Sequence, residues 1–102
     1  MDKVLTLLGF ASKSGALCFG AFKTTEAVKR GRAKCVLIAE DISDKSRKET
    51  LFYCEKYGAL AYVLKGVNIE ALSHAVGVKC GVVAVTGETF KNPIISNLTS
   101  DI

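Results

Sequence analysis

The sequence predicts an α/β protein in which helices cover both faces of a sheet of about four strands, giving a three-layer α/β/α sandwich. Short apolar runs typical of strands buried on both faces occur three times, at residues 34–40, 59–64 and 82–85. Segments with the three- and four-residue apolar spacing of amphipathic helices alternate with these runs. Strands that are apolar on both sides need a layer of helices above and below the sheet.

The first third of the chain predicts a helix, a short strand and a second helix. Apolar spacing predicts the first helix over residues 2–12, and the Ser14-Gly15 pair ends it. Residues 16–19 are too few for a helix and suit a short strand at an edge of the sheet. Helical spacing returns over residues 21–31, and the residues expected to face the sheet are Ala21, Thr25 and Val28.

The clearest strand follows at residues 34–40, and a charged helix comes after it. Ser43 or Asp44 caps this helix, which runs to about Tyr57 and ends at Gly58. Its apolar residues, which we expect to be buried, are Leu51, Phe52, Cys54 and Tyr57.

The last third repeats the alternation of strands and helices. Residues 59–64 form a second buried strand, and residues 68–76 form a short helix that closes at Gly77. Residues 82–85 form the third apolar strand, and a final helix spans about residues 88–97.

Composition indicates one globular domain over residues 1–102, since 49% of the residues are apolar, 24% are charged and proline occurs once. The start of the chain lacks the pattern of a signal peptide. The four cysteines form no Cys-x-x-Cys pair, so we expect reduced thiols in the cytoplasm. With His74 as the only histidine, no metal and no cofactor are expected.

The positive charge is concentrated in one segment. Between Lys13 and Lys34 the chain carries six cationic residues against Glu26, an excess of five within a total net charge of +4. A local basic patch is typical of proteins that bind phosphate backbones. The alternative is that a charged helix face is simply solvated.

Catalytic motifs are missing from the sequence. It contains no phosphate-binding glycine loop and no nucleophile elbow, and His74 has no carboxylate at suitable spacing in its helix. The pair Glu40-Asp41 follows a buried strand, where α/β sheets often bind ligands, but capping of the following helix explains these acids better. We therefore expect a protein that is not an enzyme and has no small-molecule substrate.

The second helix places an aromatic ring among cations. On a helical wheel Phe22, Lys23, Glu26 and Arg30 lie opposite the face toward the sheet. Aromatic rings stack on unpaired bases while neighbouring cations hold phosphates, so this face suits RNA. In the alternative interpretation, Phe22 covers an adjacent loop.

A second candidate contact is the loop at residues 77–81, which joins a helix to a strand. It carries an isolated lysine between glycines that allow close backbone approach. An ordinary helix-to-strand turn is the alternative. On the predicted sandwich this loop could lie beside the start of the basic helix.

Three segments together resemble the kink-turn RNA-binding family typified by large-subunit ribosomal proteins seven-Ae and thirty-e. They read LLGFASKSGAL, GAFKTTEAVKRGRAKCVLIAED and ALSHAVGVKCGVVAVT. The bacterial YlxQ-like branch is most similar, because it shares the LLG-x-A opening and the VTGETF-like start of the final helix. The resemblance implies a thirty-e-like sandwich with a mixed sheet, and it covers about residues 3–93.

The resemblance also implies a function and a set of contacts. Family members bind RNA, commonly kink-turns, through the helix after the first strand and the loop before the last strand. Strong binders show Gly-x-Asn-Glu-x-x-Lys at that helix start, where this chain keeps only Gly20 and departs at Phe22, Lys23 and Glu26. The expected RNA-binding residues are Gly20, Phe22, Lys23, Glu26, Lys29, Arg30, Val78, Lys79 and Cys80.

The leading hypothesis is a non-catalytic, cytoplasmic RNA-binding protein of the ribosomal-protein type that acts in a ribonucleoprotein or in translation. Its expected partners are structured RNA, ribosomal RNA or a kink-turn, with the ribosome as the larger assembly and no membrane. The second hypothesis is a protein-interaction or assembly module that has lost kink-turn recognition. An enzyme using Glu40-Asp41 ranks third.

Overall fold

The computed structural model describes residues 2–99, in which helices and strands alternate as the sequence predicts. In chain order they are α1 (Asp2–Lys13), β1 (Leu17–Phe19), α2 (Gly20–Lys29), β2 (Cys35–Ala39), α3 (Asp44–Tyr57), β3 (Ala61–Leu64), α4 (Ile69–Val76), β4 (Val82–Val85) and α5 (Glu88–Thr99). No helix in this part of the chain has both the length and the apolar character needed to cross a bilayer.

The strands of the described residues form one mixed sheet in the order β1-β4-β2-β3. β4 lies antiparallel to β1 on one side and to β2 on the other, and β2 pairs with β3 in parallel. Val83 of β4 is opposite Phe19 of β1 and opposite Leu37 of β2. The register fixes which loops meet at each end of the sheet. The strand order places β1 at an edge, as predicted.

Helices lie on both faces of the sheet and complete the predicted three layers. α1 packs against α4 and α5, whereas α2 packs against α3. Every residue of β2 and of β4 is buried. Successive side chains of a strand point to opposite faces, so burial of the whole strand requires cover on both sides. The prediction of an α/β/α sandwich is therefore confirmed.

Local chemistry sets the helix ends where the sequence predicts them. The Ser43 hydroxyl accepts a hydrogen bond from the backbone N–H of Ser46 at 3.1 Å and caps α3. Gly58 ends α3 and Gly77 ends α4, each in the left-handed conformation that glycine adopts without a steric penalty.

The predicted buried face of α2 is wrong in part. Ala21 is exposed and Thr25 is half-buried, while the buried residues are Thr24, Ala27 and Val28. The helix is therefore rotated about its axis relative to the predicted wheel. Alanine and threonine are small enough for either the core or the surface, so their spacing fixes the helical period but not which side faces the sheet.

The predicted burial of α3 and β3 also needs correction. Of the α3 residues expected inside, Cys54 is buried, but Leu51, Phe52 and Tyr57 are exposed. The buried stripe of α3 is narrow, with Cys54 and Thr50 one helical turn apart. β3 was expected to be wholly buried, yet its Val63 is exposed because β3 is the other edge strand among the described residues.

Candidate nucleic-acid interface

α2 begins directly at the end of β1, with no intervening loop. Gly20 makes this sharp change of direction at φ +87°, a conformation that a residue with a Cβ adopts only with strain. The N-cap residue, Phe19, makes no side-chain hydrogen bond to the first turn of α2, and that turn carries no acid. The first backbone N–H groups of α2 therefore have no side-chain acceptor from the cap, which leaves them suited to an anion.

Phe22 and Lys23 both point into solvent from the first turn of α2. The Phe22 side chain is 78% exposed, so the interpretation in which it covers a neighbouring loop is wrong. Lys23 is also exposed and forms no ion pair within residues 2–99. The helical wheel predicted the exposure of both residues, and the structure confirms it.

The other cations of this segment differ in whether they already contact an aromatic ring or an acid. The Nζ of Lys29 lies over the Tyr53 ring, 4.7 Å from its centroid. The Nε of Arg30 is 3.7 Å from Oε2 of Glu26, and the Nζ of Lys34 is 3.4 Å from Oε2 of Glu88. Cations held by exposed acids remain available to phosphate, because such surface pairs contribute little stability.

Two grooves flank α2, one on each side. The aromatic groove, between α2 and α3, has a volume of about 350 Å³ and is lined by Ala21, Phe22, Thr25, Glu26, Lys29, Ser46, Glu49, Thr50 and Tyr53. The cationic groove, between α2 and β1, has a volume of about 300 Å³ and is lined by Cys18, Lys23, Glu26, Ala27, Arg30 and Arg32. The exposed cations of α2 are thus divided between two sides of one helix.

The loop at residues 77–81 lies at the same end of the sheet as the start of α2. β1 ends at Phe19, whose partner Val83 is the second residue of β4, so the chain entering β4 and the chain leaving β1 meet at this end. Val78 and Lys79 are both exposed in this loop. The expected proximity of the two segments is therefore what the strand register produces.

Cys80 occupies a different environment from its two neighbours in the loop. Its side chain is 7% exposed, and burial raises the pKa of its thiol. Its backbone N–H donates to the Ser73 hydroxyl at 3.0 Å, and that hydroxyl donates to the Cys80 carbonyl at 3.1 Å. The thiol of Cys80 therefore belongs to the core, and the expected contact of Cys80 with RNA stays a prediction.

The expected site residues thus separate into two groups along α2. Those at the start of the helix and in the loop share one end of the sheet; they are Gly20, Phe22, Lys23, Val78 and Lys79. Lys29 and Arg30 lie at the other end of α2, roughly 10 Å further along the helix axis from Phe22. Glu26 lies between the groups and lines both grooves.

Sequence reasoning missed Tyr53, which forms part of the aromatic groove and holds Lys29. Its neighbour Phe52 was expected in the core, but Phe52 is 57% exposed while Tyr53 is half-buried. The two rings meet edge to face, with centroids 5.3 Å apart. The rotation of α3 about its axis decides which of the two adjacent aromatic residues faces α2. No pattern in the sequence indicates that rotation.

The acids considered for catalysis have structural roles. Oε1 of Glu40 accepts from the backbone N–H of Gly66 at 3.0 Å, and Oδ1 of Asp41 accepts from the N–H of Ile69 at 2.7 Å. They support the loop after β3 and the start of α4, rather than the entry to α3 that the sequence suggested. His74 is exposed on α4, and within residues 2–99 no group of three metal-ligating side chains occurs.

Comparison with known proteins identifies a matching family model and a similar protein sequence. The family model described as "Ribosomal protein L7Ae/L30e/S12e/Gadd45 family" matches residues 2–95. The RNA-binding protein YlxQ of Bacillus subtilis (strain 168) is 34% identical over 94 residues, which cover 90% of this chain and 91% of YlxQ.

Two solved structures share the fold. A protein from Bacillus halodurans, described as having unknown function, superposes with a TM-score of 0.89 at 25% identity, covering 97% of this chain and 99% of its own. The Giardia lamblia 15.5 kD RNA-binding protein superposes with a TM-score of 0.76 at 21% identity, covering 99% of this chain and 85% of its own.

Proposed function

This chain belongs to the ribosomal protein L7Ae/L30e/S12e/Gadd45 family, and on that basis we propose that it is a non-catalytic RNA-binding protein. It contacts structured or ribosomal RNA through α2 and acts in the cytoplasm, in a ribonucleoprotein or on the ribosome. The similarity to YlxQ, which is named as an RNA-binding protein, extends over most of both chains and supports this proposal.

The observation that carries the proposal is the exposed pair Phe22 and Lys23 on the first turn of α2. A ring that is 78% exposed gives little hydrophobic stabilisation to the fold, but it offers a flat apolar face to an unpaired base. Lys23 and the uncapped N–H groups beside it attract phosphate. Val78 and Lys79 extend this surface from the neighbouring loop at the same end of the sheet.

The proposal also specifies the kind of RNA, which is a kink-turn. Phe22 stands where strong kink-turn binders of the resembling family have asparagine, and a phenyl ring has no hydrogen-bonding group with which to read a base edge. We propose that the protein recognises the exposed bases and widened groove of a kinked RNA by stacking and phosphate contact.

A gel-shift comparison tests this proposal. The two probes are a kink-turn RNA and the same duplex without its bulge, each titrated with the full chain at several salt concentrations. We expect tighter binding to the kinked probe and a steep fall of affinity with salt, since each neutralised phosphate releases counterions. Equal affinity for the two probes would leave RNA binding standing and refute recognition of the kink.

A matched pair of lysine variants tests whether Lys23 contacts the RNA. Lys23→Ala removes a cation at the proposed interface, whereas Lys3→Ala removes an exposed cation from α1 in the other helix layer. Lys23→Ala should reduce the slope of log affinity against log salt by about 1, and Lys3→Ala should leave it unchanged. Equal effects would show that net charge, not this surface, drives binding.

A protein-interaction module is the second candidate function. It is favoured by large apolar side chains that are exposed on α3, β3 and the turn between them, namely Leu51, Phe52, Tyr57, Leu60 and Val63. Exposed apolar side chains of this kind are typical of protein contact surfaces. Absence of RNA binding at low salt, together with self-association or capture of a protein partner that Phe52→Ala abolishes, would favour this candidate.

A further inference from the structure

We propose that the aromatic groove between α2 and α3 is a binding site for one unpaired guanine base of RNA. The inference rests on the proposed RNA-binding function and adds a base-specific site that lies apart from the loop at residues 77–81. It is carried by the shape of the groove and by the kinds of side chain that line it.

The groove has the dimensions and walls of a small ligand site. Its volume of about 350 Å³ lies in the range of roughly 300–1,000 Å³ that pockets for small ligands occupy. Phe22 stands at its α2 wall and Tyr53 at its α3 wall, while Thr50, which is 3% exposed, lies at its base. Phe22 therefore offers a stacking face at one end of the groove, and the Tyr53 ring at the other end carries the ammonium group of Lys29.

Phe22 and Lys29 provide contacts common to all bases. The exposed Phe22 ring is free to stack, because its other face does not pack into the core. Lys29 is held with its Nζ 4.7 Å from the centroid of the Tyr53 ring, so its ammonium group stays at the groove. In this position it can bind the phosphate attached to the stacked nucleotide.

Glu49 provides selectivity. It is exposed, lines the groove and forms no ion pair within residues 2–99, so both carboxylate oxygens can accept hydrogen bonds. Guanine presents two adjacent donors, the N1–H and the exocyclic amino group, which match two carboxylate oxygens. Uracil presents one donor between two carbonyl oxygens, which a carboxylate repels. The site should therefore prefer guanine over uracil.

The polar lining indicates a base rather than an apolar protein side chain. Besides Lys29, Glu26 and Glu49, the groove contains the hydroxyl groups of Thr25, Ser46 and Thr50. An apolar side chain would cover these groups without pairing them, which is unfavourable. The edge of a base pairs with such groups, while one of its flat faces stacks on the Phe22 ring.

The test measures binding of stem-loop RNAs that carry one unpaired nucleotide, varied among the four bases, to the chain of 102 residues. We expect guanine to bind tightest. Phe22→Ala should weaken binding roughly 5- to 150-fold without lowering the melting temperature, because the ring is 78% exposed. The matched control is Phe10→Ala, which removes a 57% exposed ring from α1 in the other helix layer and should not change affinity.

Glu49→Gln tests whether Glu49 produces the preference for guanine over uracil. It should reduce the preference for guanine over uracil at least fivefold while leaving uracil binding unchanged or tighter. As a direct readout, the aromatic ¹H–¹³C resonances of Phe22 and Tyr53 should shift on addition of the guanine probe, while those of Phe10 should not.

The possible results separate this inference from the function on which it rests. If the wild-type chain binds no RNA, both are overturned. If RNA binds but the Phe22 and Tyr53 resonances stay unchanged and Glu49→Gln keeps the base preference, only the groove assignment is overturned. If the resonances shift with a peptide and not with RNA, the groove is a protein site and this inference is wrong.

Discussion

Replacing Glu26 by glutamine should strengthen RNA binding, although Glu26 stands within the expected interface. Glu26 is the acid between the exposed Lys23 and Arg30, and its Oε2 lies 3.7 Å from Nε of Arg30. This separation is longer than a hydrogen bond, so the pair is loose. Removing the carboxylate frees the guanidinium of Arg30 for a phosphate and reduces repulsion of the RNA backbone.

The expected size follows from counterion release. One additional phosphate contact steepens the slope of log affinity against log salt by about 0.7–0.9. Extrapolated over the tenfold interval from about 1 M to 0.1 M salt, that change amounts to roughly five- to eightfold tighter binding at 0.1 M. The side chains of Arg30 and Glu26 are 69% and 42% exposed, so loss of their i,i+4 pair should cost only about 0.3–0.5 kcal/mol of stability.

The assay is fluorescence anisotropy of a labelled structured RNA at four or more salt concentrations. Glu55→Gln is the matched control, because Glu55 is exposed on α3 and does not line either groove beside α2. A fall in affinity for Glu26→Gln would refute the reasoning. It would show that the Glu26 carboxylate accepts hydrogen bonds from the RNA.

Three further predictions concern the scaffold of the interface. Gly81→Ala should lower the free energy of unfolding by about 1–3 kcal/mol in urea titration, because the new Cβ would lie 2.6 Å from Cγ2 of Ile42. Ser43→Ala should cost about 1 kcal/mol by removing the cap on the N–H of Ser46, whereas Ser43→Asp should retain most of that stability. Burial raises the pKa of Cys35 from 9.0 to about 11, against the smaller opposing effect of a nearby lysine. Its contribution to stability should therefore be complete below pH 9 and decline as the pH rises toward 11, with a shallower decline in Cys35→Ala measured by urea denaturation across this range.

The boundaries of the helices and strands were predictable because they depend on neighbouring residues. The five residues of β2 are consecutive and apolar, which is a pattern that few structures other than a doubly covered strand explain. Ser43, Gly58 and Gly77 act through their own backbone and the adjacent turn. Such signals need no knowledge of the rest of the fold.

The orientation of the helices was not predictable in the same way. α2 buries only small residues and one valine, so a rotated helix satisfies the same pattern, and Ala21 was assigned to the wrong side. In α3, Tyr53 and not Phe52 faces α2, a choice that depends on packing between two helices distant in sequence. The exposure of Phe22 followed from the wheel, but the two grooves beside it required the positions of α3 and β1.

The position of β4 has a consequence for how the chain matures. It lies between β1 and β2, and it follows both of them in the sequence. While the chain is being translated, β2 and β3 can already pair, but β1 has no neighbour until residues 82–85 have left the exit tunnel. α2 packs on β4 as well as on α3, so the part of its support that comes from the sheet is incomplete until the same late moment. A nascent chain halted before β4 should therefore fail to display α2 in its final position, and an unfinished molecule could not capture the RNA that the completed one recognises.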